Sequence, residues 1–179
     1  MITKAKEMYK DSIQYLKGEH TENNIKLSFE KCKVAADMEY MPAINLLGVF
    51  YATGCGTTKN INSARVCFKK CERESIDAAI YNIGILDIAE NGLRGEWHAA
   101  CYFEDNLNKI QNGKLAKLMS DTIKQLDGEL DANASNIVYL MRLMDMKERF
   151  CILDTDGNIL WTDLKGYINE AANSFFNNL

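Results

Sequence analysis

Proline is almost absent from this sequence, which contains Pro42 and no other. Proline breaks helix interiors and is common in loop-rich folds, so its scarcity favours a chain built mainly from helices. The sequence also lacks a run of about 18 apolar residues, and its charged N-terminal segment lacks the apolar core of a signal peptide. We therefore expect a cytoplasmic protein that makes no membrane contact.

Basic residues are also fewer than acidic residues. The chain carries 21 Lys and Arg residues against 25 Asp and Glu residues, for a net charge of −4 at pH 7. Nucleic-acid binding usually needs a basic stripe that meets the phosphates, so this balance argues against it. An acidic surface instead favours a protein partner with a basic surface, which it would attract electrostatically.

The cysteines are expected to be reduced core residues. Six are present, and without a secretory signal thiols usually stay reduced. Cys67 and Cys71 lie four residues apart and could contact one metal ion, but a zinc site needs about four ligands and the sequence has no second close cysteine pair. We predict no metal site and no cofactor.

Three short patterns come near known motifs and depart from each. The segment Gly54–Lys59 lacks the spacing of a phosphate-binding loop and follows a predicted helix rather than a strand. The letters DTDGN at 154–158 place glycine before the third ligand position, unlike a calcium loop. No nucleophile elbow accompanies His20 or His98. The chain is therefore predicted not to be an enzyme.

The sequence repeats itself at an interval of 36 residues. The spacing holds without a gap from about residue 5 to residue 114. A period of this length is typical of solenoids, because one unit cannot bury its apolar face without a neighbour. The aligned pairs include Gly48 with Gly84, Ala43 with Ala79, Tyr15 with Tyr51, Gly18 with Gly54, Ser28 with Ala64, and Ala64 with Ala100.

Each unit contains two helical patterns. In the second unit, apolar residues spaced by four predict one helix over about 41–53, and a second amphipathic pattern predicts another over about 62–75. Gly48 is expected where two helices touch closely, and Gly54 and Gly56 where the chain turns between them. In the third unit, Trp97 and His98 are predicted to begin the second helix, with Trp97 partly buried.

The residues at these positions resemble the Sel-one-like repeat family, which is related to the tetratricopeptide repeats. The family pattern has an alanine, then Leu-Gly, a tyrosine, Gly-x-Gly and an alanine-led second helix. The first unit departs from it at Ser12, and the third unit departs at Asp87 and Glu90. The matching positions are Tyr15, Gly18, Ala43, Leu47, Gly48, Tyr51, Gly54, Gly56, Ala64, Ala79 and Gly84.

The resemblance implies a mainly α fold over roughly residues 5–114. That fold is a right-handed α-α solenoid of about three helix pairs, with units of about 5–42, 43–78 and 79–114. Apolar spacing then predicts helices over about 114–126 and 134–148, so that 115–148 caps the solenoid. The letters RFCILDTDGNILWT at 149–162 predict a β-hairpin around Asp156-Gly157, and a final helix completes 149–179.

A partner-binding face is predicted beside the packed face of each first helix. If Ala43 and its equivalents face inward, the adjacent face is concave and exposes aromatic and aliphatic residues. A helical phase shifted by one position would make these residues core instead. The predicted set is Tyr9, Ile13, Asn45, Val49, Tyr81 and Ile85. Two interpretations are open for Asp87, Glu90, Glu104 and Asp105: an acidic patch that binds a basic partner, or a solvated face.

The resemblance implies a function in protein binding. Small, acidic Sel-one-like proteins of bacteria include adaptors and proteins that resemble immunity proteins, which neutralise a toxin by occluding it. We expect a non-catalytic module that neutralises or scaffolds a partner protein, with an immunity-type role as the sharper hypothesis. The alternatives are a general adaptor of a signalling or secretion complex and, in another class, a hydrolase like the β-lactam-binding, cysteine-rich relatives.

Overall fold

The computed structural model describes residues 2–18, 21–91, 93–126, 149–162, 166 and 168. Within this part, seven α-helices and one small antiparallel hairpin confirm a mainly helical fold. The predicted helix over 134–148 lies outside the described residues. The predicted final helix is wrong at its start, because Gly166 has a φ of 85° and Ile168 forms an antiparallel bridge with Thr162, and neither is helical; the rest of that segment lies outside the described residues. The elements are α1 (Ile2–Lys17), α2 (Glu22–Asp37), α3 (Met41–Thr53), α4 (Ile61–Arg73), α5 (Asp77–Asn91), α6 (Leu93–Asn106), α7 (Gly113–Leu126), β1 (Phe150–Leu153) and β2 (Ile159–Thr162).

Each helix packs mainly on the helices that precede and follow it in the chain. The first helices α3 and α5 are apolar on nearly every side and are buried over most of their length. A helix of that kind needs covering on all faces. By contrast α4 buries one stripe, formed by Ala64, Phe68 and Cys71, and turns a polar face to solvent. The first helices of the pairs, α1, α3 and α5, are called inner helices below, although α1 buries only one face; the second helices, α2, α4 and α6, are called outer helices.

Two turns between helix pairs are alike at a distance of 36 residues. Glu39 after α2 and Ser75 after α4 both adopt left-handed backbone conformations, with φ of 61° and 59°. The next N–H in each turn reaches back to the helix: Tyr40 donates to the Ala35 carbonyl at 3.3 Å, and Ile76 donates to the Cys71 carbonyl at 3.1 Å. This is the Schellman arrangement, which satisfies carbonyls that a helix end leaves free.

Two glycines on the inner helices lie against aromatic rings. The ring of Phe68 covers Gly48, and the ring of Phe103 covers Gly84. The glycines are 36 residues apart but the rings are only 35 apart, so the second helix of the third unit is one residue short of the predicted step. The alignment of Ala64 with Ala100 is wrong for this reason. The residue four before Phe103 is Ala99, which is fully buried like Ala64.

The connection between α5 and α6 is much shorter than the one between α3 and α4. Helix α5 continues to Asn91 and α6 begins at Leu93. A methyl group on Gly95 would come within 2.1 Å of the Asp87 carbonyl oxygen, so glycine permits this close approach. The helix therefore begins before Trp97, and the prediction that Trp97 is partly buried at its start is wrong: the side chain is 64% exposed.

The predicted hairpin is confirmed at residues 150–162. The two strands pair antiparallel from Phe150 opposite Thr162 to Leu153 opposite Ile159. At the tip, the Asp154 carboxylate accepts the N–H groups of Asp156 and Asn158 at 2.8 and 2.9 Å. An isolated two-stranded hairpin is marginal in water. Here its apolar side chains join the same core as the helices, because β1 packs against α3 and α5.

Candidate functional site

The inner face predicted to be open for a partner is closed by the hairpin of the same chain. All six of its predicted residues are buried, so the expectation that they are exposed is wrong. Three of them, Tyr9, Asn45 and Tyr81, contact the hairpin, a segment from the far end of the chain, which therefore covers this side of α1, α3 and α5. The exposures are 0% for Tyr9, Asn45, Val49 and Tyr81, 1% for Ile85 and 6% for Ile13.

Asn82 on α5 holds the main chain of Cys151 through both atoms of its side-chain amide. The Cys151 N–H donates to Asn82 Oδ1 at 2.6 Å, and Asn82 Nδ2 donates to the Cys151 carbonyl oxygen at 2.7 Å. Both residues are fully buried. An unpaired polar group at this depth would be costly, so the pairing fixes where β1 lies.

Two other inner helices also bind the main chain of β1. Asn45 on α3 donates through Nδ2 to the Cys151 carbonyl oxygen at 2.9 Å, and its Oδ1 accepts from Asn82 Nδ2 at 3.0 Å. The Tyr9 hydroxyl on α1 donates to the Leu153 carbonyl oxygen. Burial raises the pKa of Tyr9 well above its usual value, so the hydroxyl stays a donor. Each first helix thus supplies one polar side chain to the strand.

Aromatic rings fix the two faces of the hairpin. Phe150 stacks on Phe68 with ring centroids 6.1 Å apart. Trp161 meets Tyr81 edge-on at 5.4 Å, and Tyr81 itself stacks on Phe103 at 6.0 Å. Such pairs stabilise beyond their buried area. The hairpin is therefore an integral part of the core.

The predicted acidic residues fall into two groups. Asp87 and Glu90 on α5 both pair with Arg65 of α4, at 2.8 and 2.6 Å. Glu104 and Asp105 on α6 are exposed, and among the described residues neither makes an ion pair. The structure therefore divides the predicted acidic patch, because Arg65 pairs with Asp87 and Glu90 on α5 and not with the two carboxylates on α6.

A second polar cluster joins α4 to α6. The Tyr102 hydroxyl donates to Glu72 at 2.5 Å, and Lys69 binds the same carboxylate at 2.9 Å while lying 5.0 Å from the Tyr102 ring centroid. Burial alone would raise the pKa of Glu72, but the hydrogen bonds from Tyr102 and Lys69 lower it overall. Burial and the hydrogen bond to Glu72 raise the pKa of Tyr102. The proton therefore stays on the tyrosine.

Four of the six cysteines are buried, and Cys67 and Cys101 are partly buried. The four buried cysteines are Cys32, Cys55, Cys71 and Cys151. Burial raises the pKa of Cys67 to about 11 and that of Cys71 to about 12, so both thiols are protonated at neutral pH. Among the described residues, no group of three or more His, Cys, Asp and Glu side chains could hold a metal ion.

Sequence reasoning missed three exposed apolar side chains on the outer helices. Val34 on α2, Val66 on α4 and Trp97 on α6 are 42%, 69% and 64% exposed. The sequence held a signal for Val34 and Val66, because charged residues lie three or four positions from each on the same helix face. Asn82 was also not predicted to have a role, although an asparagine inside an otherwise apolar helix is unusual and indicates a buried polar partner.

Comparison with known proteins gives no relative: no family model, no curated protein and no solved structure matches this chain. In the part of the chain that the structure describes, every helix is too short or too polar to cross a bilayer.

Proposed function

We propose that this chain is a non-catalytic protein-binding protein that acts in the cytoplasm through its outer helices. The observation that supports this is the exposure of one large apolar side chain on each of α2, α4 and α6: Val34, Val66 and Trp97. Tryptophan is enriched among the residues that dominate binding energy. We call these three residues the outer apolar row.

The three residues are expected to line up across neighbouring helices. The turns after α2 and α4 match at 36 residues, so Val34 corresponds to position 70 of α4. The glycine–ring contacts match at 35 residues in the second helices, so Trp97 corresponds to position 62. Positions 62, 66 and 70 are spaced by four and share one face of a helix. Because the three residues stand on successive helices at positions shifted by one turn each, we expect them to form a diagonal row across α2, α4 and α6.

The hairpin supports such a surface from the inside. It packs against α3 and α5 and is hydrogen bonded to Tyr9 of α1, so three inner helices are held on one strand. A surface that is fixed before binding avoids the entropic cost of ordering it. We propose that the helices form a rigid platform arranged as a right-handed Sel-one-like solenoid.

The charge near Trp97 favours a basic partner. Glu104 lies seven residues after Trp97, on the same face of α6, and Asp105 follows it. Exposed carboxylates beside an aromatic anchor attract and orient cationic side chains. The sharper proposal is a bacterial immunity-type protein that occludes a toxin with a basic surface. The alternative is a general adaptor of a signalling or secretion complex, which would bind several partners more weakly.

Quantitative capture from a lysate of the source organism tests the role of the outer apolar row. The baits are the full tagged chain, a Val66→Asp/Trp97→Ala variant and, as a matched control, Ile2→Ala, which removes an apolar side chain that is 77% exposed outside the row. We expect the double variant to recover a specific protein at least about tenfold less, because losing such an anchor costs about 2 kcal/mol, or about thirtyfold in affinity. The control should recover it as well as the unchanged chain does. Equal recovery by all three baits would remove the outer row from the interface. No specific protein on any bait would count against a binding function.

The number of partners and the affinity for each distinguish an immunity-type protein from a general adaptor. An immunity protein should form one tight complex with a toxin domain, such as one encoded by a neighbouring gene, and should suppress its activity. Calorimetry with the purified toxin domain measures this directly. Several partners of weaker affinity, with no toxin among them, would favour the adaptor.

A further inference from the structure

The edge of β1 that faces the helices is bound through its main chain alone. Both polar groups of the Cys151 main chain pair with side-chain amides, and the Leu153 carbonyl accepts from Tyr9. Residues two apart in a strand direct their main-chain groups to the same edge. These contacts therefore follow one continuous strand edge.

The three side chains that make these contacts come from three different helices. Tyr9, Asn45 and Asn82 lie 144, 106 and 69 residues before the strand residues they bind. Asn82 presents a donor and an acceptor side by side, as the main chain of an adjacent strand would. Proteins that bind extended peptides on sheet edges obtain their affinity from the same kind of main-chain hydrogen bonds.

We propose that the inner face of α1, α3 and α5 is a binding site for an extended strand of a partner protein, and that β1 is its tethered occupant. Recognition of the main chain does not require that the strand belong to this chain. The inference does not depend on the outer apolar row, which lies on other helices.

The packing of β1 defines the chemistry of a strand that could replace it. The ring of Phe150 stacks on that of Phe68, so a replacing strand would carry an aromatic residue at this position. Cys151 and Ile152 are both fully buried, which favours a small residue followed by an aliphatic one. The site therefore suits an uncharged strand in which a small residue separates two large apolar residues.

The tether determines when a free strand can bind. A covalently attached segment competes at an effective concentration of about millimolar, so an external strand binds measurably only when docking of the hairpin is weakened. Docking of the hairpin can be weakened at Trp161, because its ring packs on the ring of Tyr81 with centroids 5.4 Å apart. A Trp161→Ala variant should loosen β2 while leaving Asn45, Asn82 and Tyr9 in place.

Fluorescence anisotropy with a labelled peptide of residues 149–154 tests the proposal. The proteins are the full wild-type chain, Trp161→Ala, and Trp161→Ala combined with Asn82→Ala. The control peptide carries an N-methyl group at the position of Cys151, which removes the N–H donor and keeps every side chain. We expect Trp161→Ala to bind the peptide at least about tenfold more tightly than wild type. Its binding should weaken about tenfold with the control peptide, which loses one buried hydrogen bond, and by more than that with Asn82→Ala, which removes both hydrogen bonds from Asn82 to the Cys151 main chain.

Two results would overturn the proposal. One is equal binding of both peptides, which would show that the main chain is not recognised. The other is no binding to Trp161→Ala at about millimolar peptide while circular dichroism shows intact helices. If Trp161→Ala does not fold, Ile159→Ala at the other end of β2 takes its place, and the same two outcomes decide.

Discussion

The ring of Phe68 lies so close to Gly48 that a methyl group on the glycine would come within 2.5 Å of the ring carbon Cε1. Gly84 and Phe103 repeat the relationship at 2.3 Å. The missing side chain on the inner helix makes room for an aromatic ring on the outer helix. In the first pair, where Ser12 replaces glycine, Ser12 and Ser28 instead exchange hydrogen bonds to each other's carbonyls at 2.8 and 2.7 Å.

Gly48→Ala should destabilise the protein despite its better helix propensity. The added methyl group must displace a fully buried ring, and overpacking of this kind costs about 1–3 kcal/mol. Urea unfolding followed by circular dichroism measures the change. The matched control is Gly113→Ala, where nothing lies within 4 Å, and it should change stability by less than about 0.5 kcal/mol. Adding Phe68→Leu to Gly48→Ala should recover part of the loss; a loss that this second change only deepens would contradict the steric explanation.

Asn82→Leu should cost more than Asn45→Leu. The first change leaves the Cys151 N–H unpaired and removes one of two donors to its carbonyl, at about 3 kcal/mol, whereas the second removes the other donor, at about 1–2 kcal/mol. Chemical unfolding of both variants gives the order. The reverse order would show that Asn82 does not fix the strand.

Ser75→Gly should stabilise the protein. Ser75 is exposed and has a φ of 59°, a conformation that costs a residue with a side chain about 1 kcal/mol or more and costs glycine little. Greater freedom of the unfolded chain offsets part of this gain, which leaves about 0.5 kcal/mol. Ser63→Gly within α4 is the control and should have the opposite sign, because φ is helical there. Thermal unfolding distinguishes the two, and a loss of stability in both would contradict the argument.

Tyr102→Phe should weaken the protein at neutral pH but not in acid. The hydrogen bond from Tyr102 helps to lower the pKa of Glu72, so its contribution is present above the usual glutamate pKa of about 4.3 and disappears as pH falls through the lower pKa of the folded state. We expect a loss of about 1 kcal/mol at pH 7, shrinking towards zero below about pH 4. Urea unfolding across this range measures the difference. A gap that stays constant with pH would show that the hydroxyl acts through packing alone.

The helices were predictable because their causes are local. The spacing of apolar residues predicted α3 over 41–53, which are its bounds in the structure, and the 36-residue step applies to the turns at Glu39 and Ser75. In α6 the step fails, because the short connection after α5 removes one residue. That failure also accounts for the misplaced start of the helix at Trp97.

The state of the inner face was not predictable from the same pattern. Helical spacing shows that Asn45 and Tyr81 belong to one side of the array, but it does not show what covers that side. The answer depends on contacts such as that between Asn82 and Cys151, which are 69 residues apart in the sequence. Of the predicted site, Glu90, Glu104 and Asp105 are exposed, whereas the exposed Val66 and Trp97 were not predicted to belong to it.

The distance in sequence between the inner helices and β1 has a consequence for synthesis of the chain. Asn82 leaves the ribosome before its partner Cys151 has been translated, and the 69 intervening residues take about 3–14 s at about 5–20 residues per second. During that interval α1 to α5 can pair with their neighbours, but Tyr9, Asn45 and Tyr81 on their inner side still lack the hairpin that they contact in the folded protein. The nascent protein thus passes through a stage in which the apolar inner side of its helices is exposed to solvent. Chaperones that recognise exposed apolar surface can bind the chain at this stage.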